Sequence, residues 1–419
     1  MKRRYVLHPR AVGHHKRRVV QVSLFVVLLL ACLGVGLFIG LPQPSKKSES
    51  QTPKAAVAEP AVPRSITSKI LFAGDIYWGR SMYEWSQASP LGYAYPFSGL
   101  SGFQRGHYDA WVGNLECPTV PGVTPTKQEE RVLLKFNCDP AYLPEFAKWF
   151  DIVSLANNHT DNQNGVAGLD ATRKELDKNK IQHFGHYDPE VLGEVCDVVS
   201  LPVTVELRDG SAKDGSLPAA FCGYHGVFRV PSTASLAVMQ NYAKYMPVIA
   251  MPHMGVEYQA RADSLRTNLF RKMIDNGADA VLAGHPHWVQ NSESYNGKLI
   301  AYSLGNFIFD QQFEPDVMRG AVMTLELSLA KPGDDSQLAA WLELGSSCQA
   351  FADNCLEIAE KQNLKRLPFE FKWGMLASDS SGKLTKPADT DVSQAVANRL
   401  NWNQTATQLQ PAGTPYPSQ

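Results

Sequence analysis

The stretch Val281–Gln290, VLAGHPHWVQ, runs an apolar segment into a glycine and then sets two histidines either side of one proline. In an extended chain, residues i and i+2 project to the same side, and Pro286 biases His285 towards extended backbone. The spacing therefore predicts two imidazoles leaving a strand end together. That arrangement serves a metal ion, a hydrogen-bonded pair or a polar turn. The same pattern, a short apolar run closing on polar groups, recurs along the chain. Ile70–Ala73 closes on Gly74 and Asp75, and YDAWVGNLE (108–116) near Asn114. FDIVSLANNH (150–159) closes near Asn157, MPVIAMPHMG (246–255) near His253, and KLIAYSLGN (298–306) near Asn306. Helical spacings lie between some of these runs: Val166, Leu169 and Leu176 on one face, and Leu265, Leu269, Phe270, Met273 and Ile274 on another. Strands alternating with helices predict an α/β fold with buried strands. Ligands of such folds bind beyond the carboxyl ends of the strands, which is where these polar residues fall.

The 419 residues suffice for one large domain or two medium ones, and 44% hydrophobic with 19% charged side chains is a globular mix. Seven of the 40 basic residues lie in residues 1–18, which hold no acid; 33 basic and 41 acidic side chains remain, a formal charge of −8. That balance leaves no general basic field for nucleic acid. The basic tail has another use. Val22–Leu41, VSLFVVLLLACLGVGLFIGL, is uncharged and, at about twenty residues, long enough to cross a bilayer as a helix. Cations on its N-terminal side keep that terminus cytoplasmic. The expectation is a single-pass cell-membrane protein: a cytoplasmic tail 1–18, a transmembrane anchor 19–41, and a Pro/Ser/Ala-rich stalk 42–65. An extracytoplasmic domain 66–330 follows, and 331–419 completes the sheet and extends beyond it. A cleaved signal peptide, or a lipoprotein signal at Cys32, is the alternative. The other cysteines, Cys117, Cys138, Cys196, Cys222, Cys348 and Cys355, suit disulfides in an oxidising exterior. Pairing of sequence neighbours is the simplest of about fifteen connectivities, and six buried thiols stay open.

Five strand ends carry groups able to hold a metal: Asp75; Asn114 with Glu116; Asn158 with His159; His253; and His285 with His287. Singly, each has a plainer use as a turn residue, a helix cap or a core histidine. Together they mix carboxylate, amide and imidazole, a donor set suited to Mn, Fe or Zn rather than Ca or Mg. Arg80 is placed to grip a carboxylate or phosphate bidentately, or to serve structure alone. Asn114, Glu257, Tyr258 and Asn306 are further candidates to meet a substrate or to orient the histidines.

Six stretches carry a resemblance: FAGDIYWGR (72–80), NLECP (114–118), SLANNHTDNQNGVAGL (154–169), HMGVEY (253–258), GHPHWVQ (284–290) and YSLGNFIFDQ (302–311). In this order they resemble the CapA family, associated with bacterial poly-γ-glutamate capsule synthesis. The resemblance implies a place in the calcineurin-like metallophosphoesterase superfamily, a four-layer α/β/β/α sandwich with a two-metal site. It makes Asp75 the first-motif aspartate, Glu116 the metal-bridging carboxylate, Asn158 and His159 the third-motif pair, and His253 the lone histidine. His285 and His287 become ligands, one for each of two metals. His159 becomes a general acid, with Asp161 to orient it. One position departs from the pattern. The superfamily's first motif is D-x-H, and Tyr77 stands where that histidine belongs. One or two ions are therefore expected.

The implied activity is a membrane-anchored, metal-dependent hydrolase or transferase acting on γ-glutamyl polymer outside the membrane. The alternative is a non-catalytic accessory subunit that binds or exports the polymer beside membrane synthase subunits. A third reading is an extracytoplasmic phosphoesterase with another anionic substrate. The −8 charge repels a polyanion at long range, so local cations or bound metal have to overcome it.

Overall fold

Strand β1 (Pro63–Ile76) decides how the chain is laid out. Its side chains alternate between two cores: Ile70 and Phe72 join one buried cluster, Leu71 and Ala73 the other. Strand geometry sends successive side chains to opposite faces. Burial of both faces is why the run reads as unbroken apolar sequence.

The computed structural model describes residues 62–331, 335–348 and 354–410. The chain divides into Met1–Val57 and Ala58–Gln419, and the described residues all belong to the second unit. The expected basic tail, anchor and most of the stalk lie outside the described residues. Among those described, no helix is long and apolar enough to cross a membrane.

After β1 come β2 (Ala110–Leu115), β3 (Ile152–Ser154), β4 (Gln182–Phe184), β5 (Cys196–Leu207), β6 (Ala212–His225) and β7 (Val248–His253). β8 (Ala280–Leu282), β9 (Ser292–Tyr295), β10 (Lys298–Ala301), β11 (Asn306–Ile308), β12 (Arg319–Leu329), β13 (Phe369–Asp379) and β14 (Lys386–Pro387) follow. β1 pairs antiparallel with β5 at Pro63–Thr67 and with β12 at Thr67–Phe72, and parallel with β2 from Ile70 onward. It thereby joins two wings, β14-β13-β12-β1-β2-β3-β4 and β5-β6-β7-β8-β10-β9. Phe72 of β1 meets Phe221 of β6 at 6.3 Å and Trp373 of β13 at 5.8 Å, so one face of the first wing packs against the second. On its other face Leu71, Trp111, Val153 and Val322 share a core with Phe97, Phe146, Leu169 and Leu176 from helical segments. Burying an aromatic such as Phe72 contributes about 2–3 kcal/mol.

The helix Val166–Lys178 buries Leu169, Thr172 and Leu176, whereas Val166, expected on that stripe, sits in the first turn and is 54% exposed. β1 also begins inside the stretch assigned to the stalk. Proline has no N–H to give and is tolerated as the first residue of a strand, and Pro63 stands opposite Leu207. β13 and β14 complete the first wing, and the helices Thr390–Leu400 and Trp402–Gln408 follow them. The six described cysteines pair as sequence neighbours: Cys117–Cys138, Cys196–Cys222 and Cys348–Cys355. The second of these spans directly opposed residues of β5 and β6.

Candidate metal centre

Asp75, near the end of β1, organises the site. Its Oδ1 accepts from Asn114 Nδ2 at 2.8 Å, and its Oδ2 from the backbone N–H of His285 at 3.0 Å. The expectation that Pro286 holds His285 extended fails: φ is +91° at His285 and +58° at His287. A carboxylate from another strand has captured the His285 N–H and bent the chain. Backbone of this kind costs about 1–3 kcal/mol per residue. Gly284 has to be glycine, because a Cβ there would lie 2.4 Å from Asp75 Oδ1. The two imidazoles diverge, with ring centroids 6.1 Å apart. They join different donor groups. Glu116, His253 and His285 form one, and Asp75, Glu116 and His287 the other; within each, the ligand atoms lie within 4.8 Å of one another. Glu116 belongs to both.

Among the described residues, both oxygens of Glu116 and Nδ1 of His285 are buried without a hydrogen-bond partner. Such bare groups cost about 1–3 kcal/mol each, more when charged. Three imidazole nitrogens face Glu116 Oε1: His253 Nε2 at 3.6 Å, His159 Nε2 at 3.8 Å and His287 Nε2 at 4.0 Å. These gaps are too long for hydrogen bonds. Two ligands of one ion, each bound at about 2.1 Å, stand roughly 3–4 Å apart. The residues present therefore fit a divalent metal ion.

Charge follows from the same packing. Burial pushes Asp75 up, but contact with His253, the electrostatic pull of the neighbouring imidazoles and the His285 N–H outweigh it and hold the carboxyl at about 2. Glu116 is raised, by burial first and by neighbouring Asp75 second. Burial would lower His253, yet Glu116 and Asp75 lift it to about 9. Burial drives His285 down to about 2 and His159 to about 3. The packing therefore favours a proton on His253 and opposes one on the other two rings.

Amides orient these rings. Asn306 gives Nδ2 to Val317 O and Gln311 Oε1, both at 3.0 Å, which turns its Oδ1 to His287 Nδ1 at 2.8 Å. His287 thus donates from Nδ1 and leaves Nε2 free, the usual arrangement behind a metal-binding histidine. Asn114 Nδ2 lies 3.1 Å from His253 Nδ1, and Asn158 Oδ1 2.8 Å from His253 Nε2. Asn162 Oδ1 accepts from Phe136 N–H at 2.8 Å and lies 2.9 Å from His159 Nδ1. His159 therefore donates from Nδ1 and carries its lone pair at Nε2. It stands as a proton acceptor and becomes an acid only after taking a proton.

Several expected roles change. Asn114 and Asn306, offered as substrate contacts, are committed to Asp75, His253 and His287. Asp161 is exposed; the orienter of His159 is Asn162. A turn closed by the Asn162 N–H on the His159 carbonyl, at 3.0 Å, folds position i+3 back over the ring. Arg80 grips Asp310 through Nε at 3.2 Å and Nη2 at 2.6 Å, and its side chain is 12% exposed. Its guanidinium also lies 5.0 Å from the Tyr77 ring and 4.9 Å from Phe136. A fork so occupied serves structure. Tyr77 turns away from the centre, donating to Glu130 Oε1 at 2.9 Å. It stacks on Phe136 at 4.4 Å, and Phe136 stacks on His159 at 3.9 Å. Glu257 is exposed on the loop after β7. Tyr258 stacks on His287 at 6.0 Å while Gln311 Nε2 donates to its hydroxyl at 3.1 Å. Sequence reasoning passed over Asn157, Asn162, Phe136 and Asp310. The doubled amide of NNH was the available signal for Asn157, whose Oδ1 accepts from the backbone N–H of His159 and of Thr160, both at 3.1 Å.

Fold and site together define a mixed α/β protein with a candidate metal centre at the carboxyl ends of its strands. Residues 69–194 and 231–311 match the family described as Bacterial capsule synthesis protein PGA_cap, and the chain belongs to that family. It is 28% identical over 250 residues to the PGA biosynthesis protein CapA of Bacillus subtilis (strain 168), a match covering 57% of this chain and 63% of that one. It is 41% identical over 64 residues to the Capsule biosynthesis protein CapA of Bacillus anthracis, covering 15% of this chain and 16% of that one. The chain thus spans less than two thirds of either relative's length. A crystal structure of TT1561 of Thermus thermophilus aligns with a TM-score of 0.33 at 10% identity, over 61% of this chain and 93% of that one, too slight a likeness to build on.

Proposed function

We propose that this chain is a metal-dependent hydrolase or transferase of poly-γ-glutamate synthesis or processing, anchored in the cell membrane with its C-terminal domain outside. The carrying observation is Glu116, whose two buried oxygens stand bare between two donor groups. The printed names of the relatives, PGA biosynthesis and capsule biosynthesis, support the substrate class. Three disulfides support an oxidising exterior, and the uncharged run Val22–Leu41 supports the anchor. In this reading the two wings and their flanking helices form a four-layer α/β/β/α sandwich of the metallophosphoesterase type. The polymer is made beside membrane synthase subunits.

Asp75, Glu116, Asn158, His253, His285 and His287 would hold one or two ions of Mn, Fe or Zn. Such an ion supplies Lewis-acid polarisation of a carbonyl and a water acidic enough to attack at neutral pH. The chain's own residues do the rest. Asn162 keeps the Nδ1 hydrogen of His159 occupied, so Nε2 is the atom that takes a proton and returns it to the leaving amine. Phe136, stacked on the ring, fixes its plane. Delivery of the acyl group to a second amine instead of water makes the same site a transferase. In the full-length protein, His159→Ala is expected to lower turnover of γ-glutamyl oligomers by about 10²–10⁴ with metal content unchanged. Undiminished turnover would remove His159 from the mechanism.

One observation favours a second reading. Tyr77 gives its hydroxyl to Glu130 and adds nothing to the Asp75 group. A non-catalytic subunit that binds or exports the polymer tolerates that loss. It predicts polymer binding without turnover under Mn, Fe or Zn.

A further inference from the structure

His225 ends β6 in register with His253 of β7. Parallel neighbours in register turn their side chains to the same face of the sheet. His225 therefore extends the row of strand-end imidazoles by one strand, on the side of His253 away from β8. It lies between the two segments that match the family, and neither donor group includes it. The residue is 6% exposed. Its Nδ1 sits 2.6 Å from the carbonyl oxygen of Tyr187. A carbonyl only accepts, so Nδ1 carries the hydrogen and Nε2 the lone pair. A second proton at Nε2 would bury a charge and an unpaired N–H. Nε2 is buried, and among the described residues no donor reaches it. The ring of Phe228 stands edge-on to the imidazole at 5.4 Å and is 77% exposed.

We propose that His225 is a specificity residue, its Nε2 accepting a hydrogen bond from the N–H of an amide substrate lying across the metal centre. The proposal rests on the reading of that centre as one acting on γ-glutamyl bonds, and narrows it. A buried lone pair selects for a donor. A γ-glutamyl amide presents an N–H; an ionised phosphate ester presents acceptor oxygens only, which the lone pair repels. Sites built to hydrogen-bond one group discriminate strongly against analogues that lack it.

The test uses the metal-loaded, full-length chain with ¹⁵N-labelled histidine. Three ligands are added in turn: a γ-glutamyl dipeptide, its N-methylated amide, and dimethyl phosphate, an ionised phosphate ester with no O–H. The expected result is a displaced His225 Nε2 resonance with the dipeptide alone. His225→Leu is expected to weaken dipeptide binding about tenfold or more, leaving metal content and dimethyl phosphate binding unchanged, and His225→Gln to recover part of the loss through its amide oxygen. An Nε2 signal unmoved by the dipeptide, or moved equally by the N-methylated analogue, overturns the assignment and leaves the nitrogen to a buried water. Loss of metal in His225→Leu also overturns it, because the ring then supports the centre rather than reads the substrate. If the unaltered chain binds no γ-glutamyl ligand in any metal state, the reading of the centre itself fails. If it binds but His225→Leu binds equally well, only the role of His225 fails.

Discussion

The two donor groups around Glu116 are unequally furnished. Beside His253 and the bare Nδ1 of His285 stands an extra oxygen, Asn158 Oδ1, 2.8 Å from His253 Nε2. Beside Asp75 and His287, the side chain two residues beyond Asp75 is Tyr77, facing Glu130 instead. A shared carboxylate thus does not make two equal sites. On the proposed reading, the His253 group offers more donors and is expected to fill first, with the Asp75 group the weaker.

The largest effect belongs to the shared residue. Glu116→Gln keeps the shape and removes the charge that both groups need. Elemental analysis of the full-length protein is expected to show less than about a tenth of the native metal, since even losing an orienting partner costs about 10–100-fold in affinity. Retention of one full ion would mean that Glu116 is not shared. Next comes the difference between the paired histidines. His285→Ala is expected to abolish the tighter phase of a metal titration and His287→Ala the weaker one. Loss of the same phase in both variants would erase the distinction drawn above.

The smallest effect is graded by pH. His253, raised from 6.5 to about 9, stabilises the metal-free fold fully below pH 6.5, and that contribution is lost as pH rises through 9. A metal has to displace the same proton. Its apparent affinity should climb by up to about tenfold per pH unit between 6.5 and 9, while the melting temperature of the metal-free protein falls. A titration flat over that window would show His253 to be no ligand.

The strand ends were legible because buried strands leave short apolar runs, and because Asp75, Glu116 and the histidines follow those runs closely. What stayed hidden depends on contacts between distant segments. The bend at His285 is set by a carboxylate on β1, which outweighs the local bias of Pro286. Arg80 looked free because its partner, Asp310, is far along the chain and reaches it only through the β1–β11 pairing. The choice of Asn162 over Asp161 turned on one tight turn, where a single position decides between facing the ring and facing water. The exchange of Tyr77 for histidine was visible, but its aromatic stack with Phe136 and His159 was not.

β1 also sets a timetable. It is the first of the described strands to be synthesised, yet Thr67 pairs with Ser328 and Asp75 with Asn306. At roughly 10 residues per second of synthesis, those partners arrive about 25 s later. Until then β1 has one open edge, and Asp75 has no His285 N–H to hold. Pairings this distant in sequence make for slow folding. The candidate metal centre, whose first donor residue is the earliest made, is consequently among the last parts of the molecule to close.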